Sequence, residues 1–227
     1  MKRSIWFISD THGEHEALSV PDVDMVIHCG DESNNGNAWF NEPESREFFD
    51  WYGSLSTPNK VFVPGNHSTA IEQGLLKPEL YPEIDFLIHA SATWEGLSLF
   101  GSPYTPAFHE WAYMRSRDEL DAYWASIPTG LDILVTHGPP RGIRDRCHDR
   151  LTSTPLNVGC ERLLFHTTQR VRPRFHAFGH IHDESGVQNF GCTTQGSTQF
   201  LNCACVNLRG QVLHHGIVVE IETIQGT

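Results

Sequence analysis

The sequence predicts an α/β protein in which two mixed β-sheets carry helices on their outer faces, and three observations lead there. Five short runs are mostly apolar and β-forming: Ile5 to Ile8, Met25 to Ile27, Val61 to Val63, Ile133 to Val135 and Phe175 to Phe178. Each is followed within a few residues by an Asp, Asn or His, and segments of helical spacing separate several of them. In open α/β sheets, side chains at the carboxyl ends of the strands converge on one crevice, so five such runs can aim their terminal groups at a common point. With 227 residues, 39% of them hydrophobic, the chain can bury a large core and most economically forms one domain over residues 1–227.

In chain order, Ile5-Trp6-Phe7-Ile8 is the first strand, and Ser9-Asp10-Thr11-His12-Gly13 ends it with a carboxylate and an imidazole. Glu14 to Leu18 opens a short helix or turn, and Asp24 to Cys29 returns as the second strand, closed by Asp31. Asn34-Asn35-Gly36-Asn37 is a loop by turn chemistry. A helix follows with Asn41 as its cap, because Phe48, Trp51, Tyr52 and Leu55 share a face at helical spacing. Lys60 to Val63 is the third strand and runs into Pro64-Gly65-Asn66-His67, after which Gly74 to Pro82 is irregular or short helical. Phe86 to His89 and Leu97 to Phe100 flank Trp94-Glu95-Gly96 and read as a meander.

Gly101 to Trp111, with prolines at 103 and 106 and aromatics at 104, 108 and 111, is a loop that could wall a pocket. Ser116-Arg117-Asp118-Glu119 has the form of a capping box, and Leu120, Tyr123, Trp124 and Ile127 make the apolar face of its helix, which Pro128 ends. The strand before His137 follows. A helix from about Val158 then places Cys160, Leu163, Leu164, Thr167 and Val171 on one face, and Pro173 stops it before the strand leading to His180. Beyond Asp183, short apolar runs between glycines predict antiparallel strands as far as Ile221.

No hydrophobic leader stands in residues 1–9 and no apolar run approaches a membrane span, so the expectation is a soluble, cytoplasmic protein without a membrane partner. The six cysteines lack Cys-x-x-Cys spacing and read as free thiols. Cys203 and Cys205, at i and i+2, would share one strand face and receive no functional role. A formal net charge of -12 argues against a large nucleic-acid partner, since nonspecific affinity for polyanions comes from Lys and Arg. Small phosphates remain open, because metal ions can meet their charge locally.

The chemistry gathers in Asp10, His12, Asp31, Asn66, His137, His180 and His182, three oxygen and four nitrogen donors. That mixture suits borderline divalent ions such as Mn, Fe, Co, Ni or Zn, with Mn taken first. Two ions would use the set well if one carboxylate were shared. Pairs about 4 Å apart clamp the attacking and leaving oxygens of a phosphoryl displacement. His67 follows Asn66 directly and can serve as an acid. His28, His89, His166 and His176 read as packing or surface residues, and Arg141 and Arg144 could meet a phosphate or remain solvated loop residues.

The blocks Asp10-Thr11-His12, Gly30-Asp31, Gly65-Asn66-His67, His137 and Gly179-His180-Ile181-His182 resemble, in order, the signature of the calcineurin-like metallophosphoesterases. Phe100 to Pro106, Asp132 to Pro140, and Val158 through Pro173 are similar to the metallophosphoesterase-domain-containing subgroup related to a fetal-brain phosphodiesterase, of the class III cyclic nucleotide phosphodiesterase type. The resemblance implies a four-layer sandwich of two mixed sheets flanked by helices, and two divalent metals. It assigns Asp10, His12 and His182 to one ion, Asn66, His137 and His180 to the other, Asp31 as the bridge, and His67 as the group that protonates the leaving alkoxide or steadies the transition state.

Some relatives in that subgroup carry glycine where this chain keeps His180, and are impaired at the second metal. The activity implied is hydrolysis of small phosphodiesters, cyclic nucleotides among them, by a metal-bridging hydroxide and without a covalent intermediate. Two other readings compete. A nuclease or phosphoprotein phosphatase on the same core would need a basic or docking surface, which the acidic balance disfavours. A non-catalytic interaction scaffold would have lost ligands, whereas all seven and His67 are present.

Overall fold

Within the first strand, successive side chains enter different cores. Ile5 and Phe7 join one apolar cluster and Trp6 and Ile8 another, all fully buried. A strand buried on both faces belongs inside a layered α/β structure. The computed structural model describes residues 1–149 and 151–223. In chain order the elements are β1 Lys2–Ile8, β2 Met25–His28, α1 Ala38–Ser54, β3 Asn59–Phe62, α2 Thr69–Glu72, β4 Asp85–Phe86, β5 Ala90–Trp94, β6 Leu97–Ser102, β7 Thr105–Pro106, β8 Met114–Arg115, α3 Arg117–Ser126, β9 Ile133–Thr136, β10 Arg146–His148, β11 Pro155–Asn157, α4 Glu161–Phe165, β12 Phe175–Phe178, β13 Gly191–Gln195, β14 Thr198–Asn202 and β15 Ile217–Glu222.

One sheet has the order β15-β1-β2-β3-β4 and the other β13-β14-β12-β9-β6-β5. Both are mixed: β1 to β4 run parallel with β15 antiparallel at the edge, and β14, β12, β9 and β6 run parallel between antiparallel β13 and β5. Ile5, Phe7, Ile27 and Val61 of the first sheet meet Leu99, Ile133, Val135 and Ala177 of the second in the central core. Outside the first sheet, Phe48, Phe49 and Tyr52 of α1 cover Trp6, Val26 and Phe62. Outside the second, Leu120 and Trp124 of α3 and Leu163 of α4 cover Phe100 and Leu134. The result is a four-layer α/β/β/α sandwich. All five site-bearing strands of the sequence therefore lie in the sheets, with their carboxyl ends at one edge.

The structure corrects several local expectations. Helix α1 starts at Ala38, not after Asn41. Asn37 has extended backbone and its Oδ1 accepts from the Trp39 amide at 3.1 Å, so it is the cap, and Asn41 is turned inward. The meander pairs β5 with β6 around Glu95-Gly96, whereas Phe86 belongs to the other sheet through β3. The capping box of α3 is present, with both Ser116 and Glu119 engaged. The helix expected from Val158 begins at Glu161 with Cys160 as its cap and continues through a π-helical turn at His166–Val171. Beyond Asp183 the strands are not all antiparallel, since β14 runs parallel to β12. Cys203 and Cys205 lie past the end of β14 and point into different cores, so they share no strand face, and both are free thiols.

His28 and His176 are fully buried and are held by neighbouring side chains: His28 Nε2 lies 3.2 Å from Thr11 Oγ1, and His176 Nε2 2.8 Å from Thr136 Oγ1. Burial pushes the pKa of each down to about 3. Both stay neutral in the folded chain at pH values where an exposed histidine charges. Below about 6.5 the unfolded chain binds protons that the folded chain refuses, so stability falls as pH drops from there toward 3. At pH 5 this amounts to about 2 kcal/mol per histidine. His176→Phe should remove one share of this loss. Urea unfolding at pH 7 and pH 5 should show the variant losing less stability than the wild type, and an equal loss would refute the assignment.

Candidate metal centre

Asp10 and His12 follow β1, Asp31 follows β2, Asn66 follows β3, His137 follows β9, and His180 and His182 follow β12. The chain leaves these strands through unusual backbone. Asp10, His12, Asp31 and His180 have φ of 52°, 44°, 61° and 67°, the left-handed region that L-residues avoid at roughly 1–2 kcal/mol each. Hydrogen bonds hold them there: Asp10 N donates to Gly30 O at 2.8 Å, His12 N to Asp31 O at 3.2 Å, and His180 N to the Asp10 carboxylate at 2.8 Å. Strain concentrated in this way marks a site that the surroundings over-determine.

The side chains come together in two groups joined by a carboxylate. One ligand atom from each of Asp10, His12 and His182 lies within 4.8 Å of the others, as do those of Asp31, His137 and His180. Asp31 Oδ2 lies between the groups, 3.9 Å from His12 Nε2 and 3.3 Å from His137 Nε2. Asn66 Oδ1 lies 2.9 Å from the same His137 nitrogen. His67 also approaches: its ring centre is 4.7 Å from that of His12, and it groups with His12 and Asp31. Its Nδ1 donates to Asn34 O at 2.9 Å, and its backbone N–H donates to Asp31 Oδ1 at 2.7 Å.

The donor chemistry fits cations. His137 Nδ1 donates to the Cys29 carbonyl at 2.9 Å, which leaves the Nε2 lone pair of the neutral ring facing two oxygens, Asn66 Oδ1 and Asp31 Oδ2. His12 repeats the design, with Nδ1 on Ser33 O at 3.0 Å and Nε2 turned toward Asp10 and Asp31. Lone pairs gathered out of water need a proton or a metal ion between them. Protons meet part of that need. Burial opposes a charge on His137, but Asp31 beside it outweighs this and pushes its pKa up to about 9. Burial likewise works against the Asp31 carboxylate, yet His137 and His67 hold it well below the ordinary range. Burial, helped by the neighbouring His182 and His67, takes His12 down to about 4, and burial with the neighbouring His137 takes His180 down to about 3, so both rings present neutral donors.

Close packing leaves no room for larger backbones. A Cβ on Gly65 would stand 2.6 Å from Asp31 N and 2.7 Å from His137 Cε1, and one on Gly179 would overlap the Asp10 carboxylate. The centre opens into a cavity of about 290 Å³, walled by Phe108 and Trp111 of the loop expected to line a pocket. A second wall, of Val206, Asn207, Leu208 and Gly210, was not foreseen, since only turn residues such as Asn207 and Gly210 signal it. Arg141 pairs with Glu161 at 3.4 Å, and Arg144 is occupied by Thr193 and the carbonyls of Asn189, Phe190 and Cys192, so neither lines the cavity.

The sequence and the fold are matched by known proteins. The family model for calcineurin-like phosphoesterases matches residues 3–184. Metallophosphoesterase domain-containing protein 1 of Homo sapiens is 32% identical over 95% of this chain and 70% of its own length. A UPF0046 protein of Caenorhabditis elegans is 32% identical over 94% of this chain and 79% of its own. A crystal structure of phosphopantetheinyl hydrolase from Mycobacterium tuberculosis superposes with a TM-score of 0.56 at 16% identity, covering 91% of this chain and 90% of that one, and so shares the fold. The chain belongs to the calcineurin-like phosphoesterase family. It is a metal-dependent phosphoester hydrolase.

Because Asp31 Oδ2 lies between the two groups, near His12 on one side and His137 on the other, Asp31→Asn should weaken both metal sites together. Elemental analysis of the variant after loading with Mn should find well under two ions per chain, with hydrolysis lost in parallel. Two retained ions at full activity would show that Asp31 is not shared.

Proposed function

We propose that the protein is a phosphodiesterase for small esters, nucleotides and cyclic nucleotides among them, working at a dinuclear divalent-metal centre. The observation that carries the reading is the composition of the cavity: imidazoles, Asp31 and Asn66 line its floor, aromatic rings its side, and among the described residues no Lys or Arg lines it. A monoester dianion leaves a second negative charge for the protein to meet, whereas a diester carries one. Phe108 and Trp111 suit the planar base of a nucleotide, lying 5.6 Å from the His180 ring and 4.1 Å from the His67 ring.

In this reading Asp10, His12 and His182 hold one ion, Asn66, His137 and His180 the other, and Asp31 is shared. Mn is the first choice, and Fe, Co, Ni or Zn would suit the same donors. Bound there, such ions lower the pKa of a coordinated water and take up phosphoryl charge. His67 supplies the proton for the leaving oxygen. Its Nδ1–H is engaged by Asn34 O, so Nε2 is the nitrogen able to deliver a proton, and the edge-on Trp111 ring limits how far the imidazole can turn. The proposed setting is the cytoplasm. The free thiols of Cys29, Cys160, Cys203 and Cys205 suit a reducing compartment, and no described helix is long and apolar enough to cross a membrane.

Mn-loaded protein should hydrolyse bis-p-nitrophenyl phosphate faster than p-nitrophenyl phosphate. The reverse order would overturn the diester reading, and 2′,3′- and 3′,5′-cyclic nucleotides in the same assay would test the nucleotide. His67→Ala should keep both metals and lose about 10²–10⁴-fold on an ester with a basic alkoxide leaving group. It should lose less on a nitrophenyl ester, whose leaving group scarcely needs a proton. Equal losses would make His67 a stabiliser of transition-state charge, and a lost metal would make it a ligand.

A further inference from the structure

Beneath the segment from Gly65 to Ala70, which runs into α2, lies a polar cluster that the chemistry above leaves unused: Glu32, Asn41, Ser45 and Ser68 are each 0% exposed. Buried polar side chains in a helix and a loop are costly unless fully bonded, and these are bonded to one another. Ser45 and Ser68 donate to the two oxygens of Glu32 at 2.7 and 2.6 Å, and Ser68 Oγ accepts from the Gly65 amide at 2.9 Å. Asn41 occupies the centre. Its amide nitrogen donates to the carbonyl of His67 at 2.5 Å and of Asn35 at 2.9 Å, and it also contacts Ser33 Oγ. Its Oδ1 accepts from Ala70 N at 2.9 Å and lies 3.2 Å from Ser45 Oγ, whose hydrogen goes to the closer Glu32 oxygen.

Two chain segments hold the His67 ring. One is its own loop, which fixes the backbone, and the other is the 33–35 segment, whose Asn34 carbonyl accepts from Nδ1. Asn41 bonds to both. We propose that Asn41 is a positioning residue for His67: by tying the two segments to the first turns of α1, it sets the direction in which Nε2 faces the leaving oxygen. This rests on His67 serving that oxygen. Asn41 itself is away from the cavity wall and touches no substrate. Its inward turn also accounts for an asparagine inside a helix, where it is a poor helix former.

The test compares His67→Ala, Asn41→Ala, Asn41→Ser and the double variant Asn41→Ala/His67→Ala. Metal content, kcat and KM are measured on a nitrophenyl diester and on a diester with an alkoxide leaving group. Asn41→Ala should retain both ions, keep KM near that of the wild type and lose kcat, by about tenfold more on the alkoxide ester than on the nitrophenyl one. Asn41→Ser, which keeps one donor, should lose less in the same pattern and stands in if the alanine variant fails to fold; its own double variant with His67→Ala is then made. In either pair, the double variant should be no slower than His67→Ala, because residues acting through one group are not additive. Losses that add would overturn the proposal, as would equal losses on the two esters while His67→Ala still discriminates between them. If His67→Ala itself shows no leaving-group dependence, the acid role fails, and the positioning role then stands or falls on the double variant alone.

Discussion

Lone pairs crowded together out of water repel one another, and this fold holds seven oxygen and nitrogen donors in that condition at one edge of a sandwich. His137 Nε2 faces the oxygens of Asp31 and Asn66 at 3.3 and 2.9 Å, and His12 Nε2 faces Asp10 and Asp31 at 3.9 Å each. Only a positive charge between such atoms makes the arrangement favourable. Much of what is peculiar in the chain serves this convergence: the left-handed backbone at four of the donors, the glycines packed against their side chains, and the parallel strands that bring their carboxyl ends together.

The segment after β2 has a larger part than its length suggests. Cys29, Ser33 and Asn34 each offer a backbone carbonyl to the Nδ1 of an imidazole, those of His137, His12 and His67 respectively. A carbonyl accepts only, so each ring must carry its proton on Nδ1 and present Nε2 to the cavity. Three tautomers and orientations are thereby set by six consecutive residues, and Asp31 lies among them. Displacing this segment would therefore disturb both donor groups and His67 at once.

The strain has to be borne elsewhere. Four left-handed residues at about 1–2 kcal/mol each approach the net stability of a typical domain, about 5–15 kcal/mol. The layers on either side supply the counterweight, because β1 to β3 are buried on both faces and α1 adds an aromatic cluster in which the Phe48 ring meets His28, Tyr52 and Phe62. Losing a ring of that kind typically costs about 3–5 kcal/mol. The family relationship fits the same division of labour, a rigid sandwich with chemistry at its strand ends.

The sequence by itself determined the α/β class and the strands that end in Asp10, Asp31, Asn66, His137 and His180, because buried parallel strands must be continuous apolar runs and their polar stops are conspicuous. It also determined the α3 capping box, a purely local signal between Ser116 and Glu119. Tertiary structure alone decided which strands share a sheet: Phe86 joins β3 and not β6, since pairing between distant segments leaves no local pattern. It decided the start of α1, where Asn41 followed by Pro43 imitates a helix entry although Asn37 makes the capping bond. The inward turn of Asn41, the wall of Val206, Asn207, Leu208 and Gly210, and the engagement of Arg144 by backbone carbonyls were likewise set by long-range contacts, which residue types and spacing do not encode.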